Sequence, residues 1–219
     1  MKPDNIILEG ITGSVAYGLN TPTSDIDIKG VFITPTNQLL GFFPGADTKN
    51  HVDPDWCYHE IGKFIELAMK CNPTILEMLF LTEYEKLTEI GKLLVDNRHL
   101  FLSNIARKSY GGYCMSQAQL LNRRGDSYGD GKANRYEKHT RHLFRLLQQG
   151  SELLQTGKIT VKVNNRDELF AYGKLPPEEV VTLFGQKLAE FDAIKSILPD
   201  VPDKKAVSDL LVKIRKENW

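Results

Sequence analysis

The chain is poor in cysteine: only Cys57, Cys71 and Cys114 occur in 219 residues, and no two are spaced as C-x-x-C. That pattern argues against a disulfide framework or a zinc site and predicts reduced thiols in a cytoplasmic setting. No apolar run approaches the roughly 20 residues that span a bilayer, so no membrane segment or membrane partner is expected. The start, MKPDNIILEG, lacks the long apolar stretch of a secretory signal. Internal repeats, low-complexity tracts and an RNA-recognition signature are all missing. GDSYGDGK is no P-loop: its glycines are wrongly spaced, Ala133 stands where a Ser or Thr is needed, and no strand precedes it. What remains is a globular composition, 41% hydrophobic and 26% charged, in a chain long enough to bury a sizeable core.

Net charge is absent too, with 28 Lys and Arg against 28 Asp and Glu, but the distribution is uneven. Residues 1–100 hold 8 basic and 14 acidic side chains, whereas residues 101–166 hold 12 basic and 4 acidic. An acidic half joined to a basic segment suits a cation site working on a polyanion; plain solubility charge is the competing reading.

NIILEGIT (5–12) is β-branched, apolar and closed by glycine, which predicts a strand. GSVAYGLN predicts a short helix beginning at Ser14, and DIDIKGVFIT (25–34) alternates with period two as a second strand. PTNQLLGFFPGADTKN (35–50) reads as a loop, DWCYHEI (55–61) as a strand, and GKFIELAMKC as the helix that follows it. Pro73 suits the first turn of another helix, and from there on the periodicity is helical. The segment RRGDSYGDGKAN (123–134) separates two of these helices as a loop. Strands first and helices later predict an α+β protein with a helical C-terminal part.

Two groups of residues carry chemistry. Gly13-Ser14 follows a strand and opens a helix, where backbone N–H groups lack intrahelical partners and favour an anion, although Ser is also a common cap. Asp25-Ile26-Asp27 sets two carboxylates on one strand face about 6–7 Å apart, with Ile26 and Ile28 turned the other way. Paired carboxylates suit Mg²⁺ or a similar hard cation, and solvated charge is the bland alternative. Further along, Lys138, His142 and Arg145 share one face of a helix, flanked by Arg135 and Arg141, with Leu143 and Leu147 opposite. Such a row of cations is expected to point away from the core, toward solvent or toward phosphates. His139 and His142 lack the further ligands that a zinc site would need.

Gly13-Ser14, ten residues, then Asp25-x-Asp27 resembles the signature of the DNA polymerase β-like nucleotidyltransferase superfamily. DWCYHEIGKFIELAMKCNPTILEMLF, with Lys63-Phe64, Asn72-Pro73 and Leu76-Glu77, resembles one branch of it, linked to RNA repair and frequent in phages. The Lys138, His142, Arg145 spacing is similar to that branch as well, and the likeness runs over most of residues 8–180. The resemblance implies an N-terminal mixed β-sheet nucleotidyltransferase core with flanking helices over residues 1–100. It assigns residues 101–219 to a helical domain that adds a basic surface for nucleotide or acceptor.

The implied activity is attack of a hydroxyl on the α-phosphate of a nucleoside triphosphate, such as ATP, by a two-metal mechanism with loss of pyrophosphate. Asp25, Asp27 and a third acid would hold Mg²⁺ or Mn²⁺. Asp55 is the first choice for that acid, with Glu60 second and Asp53 also a candidate. Gly13 and Ser14 would hold the triphosphate, and Lys138, His142 and Arg145 would neutralise phosphate charge. RNA ends, a protein hydroxyl and a small-molecule hydroxyl remain open as acceptors, and oligomeric state is not legible. The alternative is a non-catalytic nucleotide-binding or antitoxin-like protein that keeps the fold, and a plain nucleic-acid-binding module comes third.

Overall fold

A computed structural model describes residues 2–122 and 132–219; the side chains of 122 and 132–134 are not considered, and most of the expected loop at 123–134 lies outside the described residues. The chain divides into two compact units, residues 1–103 with 199–219, and residues 104–198.

The first unit is α+β. Its strands are β1 (Ile6–Thr12), β2 (Asp27–Phe32), β3 (Thr48–Val52), β4 (Asp55–Glu60) and β5 (Lys86–Leu87). They form one sheet in the order β3-β4-β2-β1-β5, with β2 and β4 parallel and the other neighbours antiparallel. Single turns α1 (Gly13–Ala16) and α2 (Thr36–Leu39) follow β1 and β2, and α3 (Ile61–Met69), α4 (Pro73–Leu79) and α5 (Glu89–Asp96) come after β4. The parallel β2–β4 pair is possible because the chain leaves the sheet after β2 and returns as the β3–β4 hairpin.

One sheet face packs Phe32, Trp56 and Tyr58 against Ile6 and Ile28. Gly30 lies under the Tyr58 ring, where a Cβ would come within 2.4 Å of ring carbons, so only glycine lets this aromatic settle on the strand. The opposite face carries Leu8 and Val31, both fully buried, and helices α3, α4 and α5 pack against the sheet. Helix α3 buries Phe64, Ile65 and Ala68, part of the apolar stripe that its sequence spacing predicts, together with Ile61, which the sequence placed at the end of the preceding strand; Met69 is only half-buried. Asn72 caps α4, its Oδ1 accepting from Ile75 N at 3.3 Å, and Pro73 occupies the first turn, where it costs no hydrogen bond.

The last helix, α10 (Lys204–Lys216), belongs to this unit and buries Val207, Leu210 and Ile214. Its Arg215 forms an ion pair with Glu60 at 2.7 Å and donates to Thr34 O at 3.2 Å. The second unit is helical: α6 (Ile105–Asn122), α7 (Lys132–Thr156), α8 (Arg166–Gly173) and α9 (Pro177–Ala193). Helix α7 packs against the other three, over a core that includes Tyr110, Cys114, Leu143, Leu147, Leu154 and Phe191. Among the described residues no helix is long and apolar enough to cross a membrane.

Four elements differ from expectation: β5 (Lys86–Leu87) falls where a helix is expected, α2 (Thr36–Leu39) falls in an expected loop, and β2 and β3 differ as well. The second strand starts at Asp27, not Asp25. Its partner β1 ends at Thr12, opposite Asp27, because the chain swings into α1 at Gly13 (φ +66°), so residues 25 and 26 have no strand to pair with. Strand β3 lies within and just beyond the stretch expected to be a loop. TKNHV is polar and largely exposed, as an edge strand can be, so it carries no buried alternation to announce it.

Candidate functional site

The residues of interest in the first unit gather where β1 ends and β2 and β4 begin. Thr12 pairs with Asp27 across the antiparallel ladder, and its Oγ1 donates to Asp27 O at 3.2 Å. Gly13 comes next in the left-handed region, with the Asp27 carboxylate lying against it. A Cβ at Gly13 would stand 1.9 Å from Asp27 Oδ2 and 2.9 Å from Cγ. Glycine is therefore required twice over, by φ and by the close approach of the carboxylate. Gly13→Ala is expected to displace Asp27 and to destabilise the unit by about 1–3 kcal/mol. Urea titration alongside an activity assay would check this, with activity falling more than the stability loss explains.

Ser14 is half-buried inside α1, and the preceding cap residue, Thr12, makes no side-chain cap bond. Ser14 is thus not the cap of this turn, and its hydroxyl is not used as one. The turn is anchored from behind: Tyr17, at its C-terminal end, donates from its hydroxyl to Glu77 Oε2 on α4 at 2.6 Å, and Glu77 is 1% exposed. Sequence reasoning gave this pair no role. The available signal was an acid set in the apolar run PTILEMLF, where a buried carboxylate needs a partner.

Asp55 is the first residue of β4. The parallel register Ile28↔Trp56 and Lys29↔Cys57, extended one step back, sets Asp55 level with Asp27 on neighbouring strands, about 4.8 Å apart. Asp27, Lys29, Asp55, Cys57 and His59 share one side of their strands, with Trp56, Tyr58 and Glu60 on the other. Asp25 and Asp55 are exposed and Asp27 half-buried. Among the described residues no three His, Cys, Asp or Glu side chains already converge as a metal-holding group. The fold thus brings Asp27 and Asp55 to the same edge of two strands, with Asp25 two residues upstream, and does not clamp the three together.

Of the other acids considered, Glu60 is committed elsewhere. It is 5% exposed, caps α3 by accepting from Gly62 N at 2.8 Å, and binds the Arg215 guanidinium with both oxygens. Asp53 lies exposed in the β3–β4 turn.

Electrostatics on this side of β4 are dominated by burial and by Lys29. His59 is held below the ordinary histidine range, first by burial and then by the nearby Lys29 charge, while Asp47 opposes the shift. Its Nδ1 lies 3.0 Å from Thr48 Oγ1. Burial pushes the Cys57 thiol up, with Lys29 opposing. Because the folded state favours neutral His59, the unfolded chain takes up its proton first as pH falls below about 6.5. Stability is therefore expected to decline from pH 7 to pH 5, and less steeply in His59→Gln; melting temperatures over that range test the sign.

On α7 the structure splits the expected row of cations. Arg135 and Lys138 are exposed and His142 is half-buried, but Arg145 is only 2% exposed and Arg141 7%. Arg141 lies over the Phe170 ring, 4.4 Å from its centroid, and pairs with Glu137 at 3.3 Å. Arg145 donates to His142 Nδ1 at 3.3 Å. Leu143 and Leu147 are buried as their spacing predicts. His139 Nδ1 lies 2.9 Å from Gln117 Oε1, which ties the ring to α6.

A strand, a glycine-led turn and a parallel pair of strands, each starting on aspartate, form the head of the first unit. The chain belongs to the RNA repair pathway DNA polymerase beta family, whose profile matches residues 2–195, and membership points to nucleotidyltransferase activity in general. It is also similar to an uncharacterized 38.9 kDa protein of Enterobacteria phage T4, encoded in the nrdC-mobD intergenic region, at 28% identity over 135 residues. That match covers 54% of this chain and 39% of the phage protein, so the chain spans about two fifths of its relative.

Proposed function

We propose that this chain is a Mg²⁺- or Mn²⁺-dependent nucleotidyltransferase that moves a nucleoside monophosphate from a triphosphate to an acceptor hydroxyl, with an RNA end as the first acceptor to examine. The observation that carries the reading is the Asp27 carboxylate lying against Gly13, in a chain whose family is tied to DNA polymerase β and RNA repair.

Asp25, Asp27 and Asp55 offer only carboxylate oxygens, the donors a hard divalent cation takes; Asp27 and Asp55 open β2 and β4, and Asp25 lies two residues before β2. A cation held there would supply positive charge for the attacking and leaving oxygens of an in-line displacement. Asp25 and Asp55, both exposed, are free to turn toward Asp27. The Gly13 and Ser14 backbone amides and the Ser14 hydroxyl donate to triphosphate oxygens. Asp55 accepts the proton of the acceptor hydroxyl as its oxygen bonds to the α-phosphorus and the bond to pyrophosphate breaks. To Lys138, which is exposed on the second unit, we assign contact with a phosphate group; Arg145, 2% exposed, is buried within that unit.

Incubation with each α-labelled triphosphate, Mg²⁺ or Mn²⁺, and RNA, protein lysate or small alcohols tests this. Label is expected in an acceptor from the α- but not the γ-labelled nucleotide. A second reading, nucleotide binding without turnover, is favoured by the lack of a converged metal-holding group among the described residues. Calorimetric binding of triphosphate with no labelled product would establish it instead.

A further inference from the structure

Strand register orders the sheet face that carries Asp27 and Asp55 into rows. The first runs Thr12, Asp27, Asp55, Val52, the second Gly10, Lys29, Cys57, Asn50, and the third Leu8, Val31, His59, Thr48. Lys29 is the one Lys or Arg in these rows. It stands two residues from Asp27, about 6–7 Å along the strand, a gap that its four-carbon stem can span.

Lys29 is half-buried and makes no hydrogen bond or ion pair among the described residues. In the same unit Lys2, Lys63 and Lys70 each pair with a glutamate. The neighbours of Lys29 do not answer its charge. Gly10 has no side chain, and Leu81 packs so closely over it that a Cβ there would stand 2.5 Å from Leu81 Cδ1. Val31 is fully buried, and burial keeps Cys57 a neutral thiol. An ammonium partly withdrawn from water without a counter-charge is costly to hold, so it marks a place where an anion arrives.

The acids of the first row are within its reach, yet neither forms an ion pair with it. Three carboxylates already consume most of the charge that a pair of divalent cations would bring. A triphosphate at this edge therefore needs a further fixed positive charge on the same face. We propose that Lys29 binds the triphosphate, its ammonium donating to phosphate oxygens beside Asp27 and Asp55. This rests on the reading of that edge as a nucleotidyltransferase site, and it names the polyphosphate, rather than the nucleoside, as the part of the ligand that this face recognises.

The test is calorimetry on the full chain with each common nucleoside triphosphate and its monophosphate, in Ca²⁺ to hold turnover back. The wild type is expected to bind triphosphate more tightly than monophosphate. Lys29→Met should weaken triphosphate binding about tenfold or more and monophosphate binding little, while Lys29→Arg retains most of the affinity. Melting temperatures should stay within a few degrees, and Lys29→Gln guards against a Met variant that fails to fold. Unchanged triphosphate affinity in the Met and Gln variants, equal losses for triphosphate and monophosphate, or no triphosphate binding by the wild type would overturn the inference. The expected losses without label transfer by the wild type would uphold Lys29 and remove the proposed reaction. Label transfer with unchanged affinity in Lys29→Met would do the reverse.

Discussion

Asp27→Asn is expected to lower nucleotidyl transfer by about a thousandfold or more while leaving the melting temperature within a few degrees of the wild type. The substitution keeps the shape of the side chain lying against Gly13 and keeps the ladder, since Thr12 contacts the Asp27 backbone oxygen rather than the carboxylate. It removes the negative charge of the acid that lies against Gly13. Asp25→Asn and Asp55→Asn should also be severe. Their losses should not multiply with that of Asp27→Asn, because groups that act as one unit fail together. The measurement is transfer of α-label under single-turnover conditions, with Mg²⁺ raised in parallel. Partial recovery of Asp55→Asn at high Mg²⁺ would fit a weakened ligand set. Equal transfer by the wild type and Asp27→Asn would remove the carboxylates from the mechanism and leave the non-catalytic reading.

The largest stability effect is expected far from those acids, at Arg215. Its guanidinium engages both oxygens of Glu60 and reaches Thr34 O, while Glu60 also accepts from Gly62 N and Thr34 N. Arg215→Met would leave a largely buried carboxylate without its counter-charge, and such a loss costs about 3 kcal/mol. In a unit of this size that corresponds to a fall in melting temperature of roughly 10 °C. The double variant Glu60→Gln/Arg215→Met should recover part of the loss, because no orphan charge remains and Gln still accepts from Gly62 N. Thermal melts of the three variants decide the point, and additive losses would show that the pair is not coupled. The consequence for the site is indirect. Thr34 and Glu60 lie at the trailing ends of β2 and β4, so α10 ties together the two strands whose leading ends carry Asp27 and Asp55.

Local pattern was enough for much of this molecule. A β-branched apolar run and a closing glycine identify β1, the apolar stripe of GKFIELAMKC identifies α3, and Pro73 announces the start of α4. These features depend on neighbours in the chain, and so does the interval from Gly13-Ser14 to Asp25-x-Asp27 that led to the family. Where a partner distant in sequence sets the outcome, the pattern falls silent. The start of β2 is fixed by where β1 ends, the polar β3 is held by β4, and Arg145 is buried although its spacing matches that of the exposed Lys138.

Taken by itself, the sequence determined the α+β class, the leading helices and strands, and the acids and glycine at the head of the candidate site, because side-chain type and spacing carry those directly. Only the tertiary structure decided that Asp55 lies level with Asp27 while Glu60 serves Arg215. It also decided that Tyr17 and Glu77 brace the turn. Each of these depends on strand register or on burial between elements far apart in the chain, and desolvation of a polar group is a property of its surroundings rather than of its own residue type.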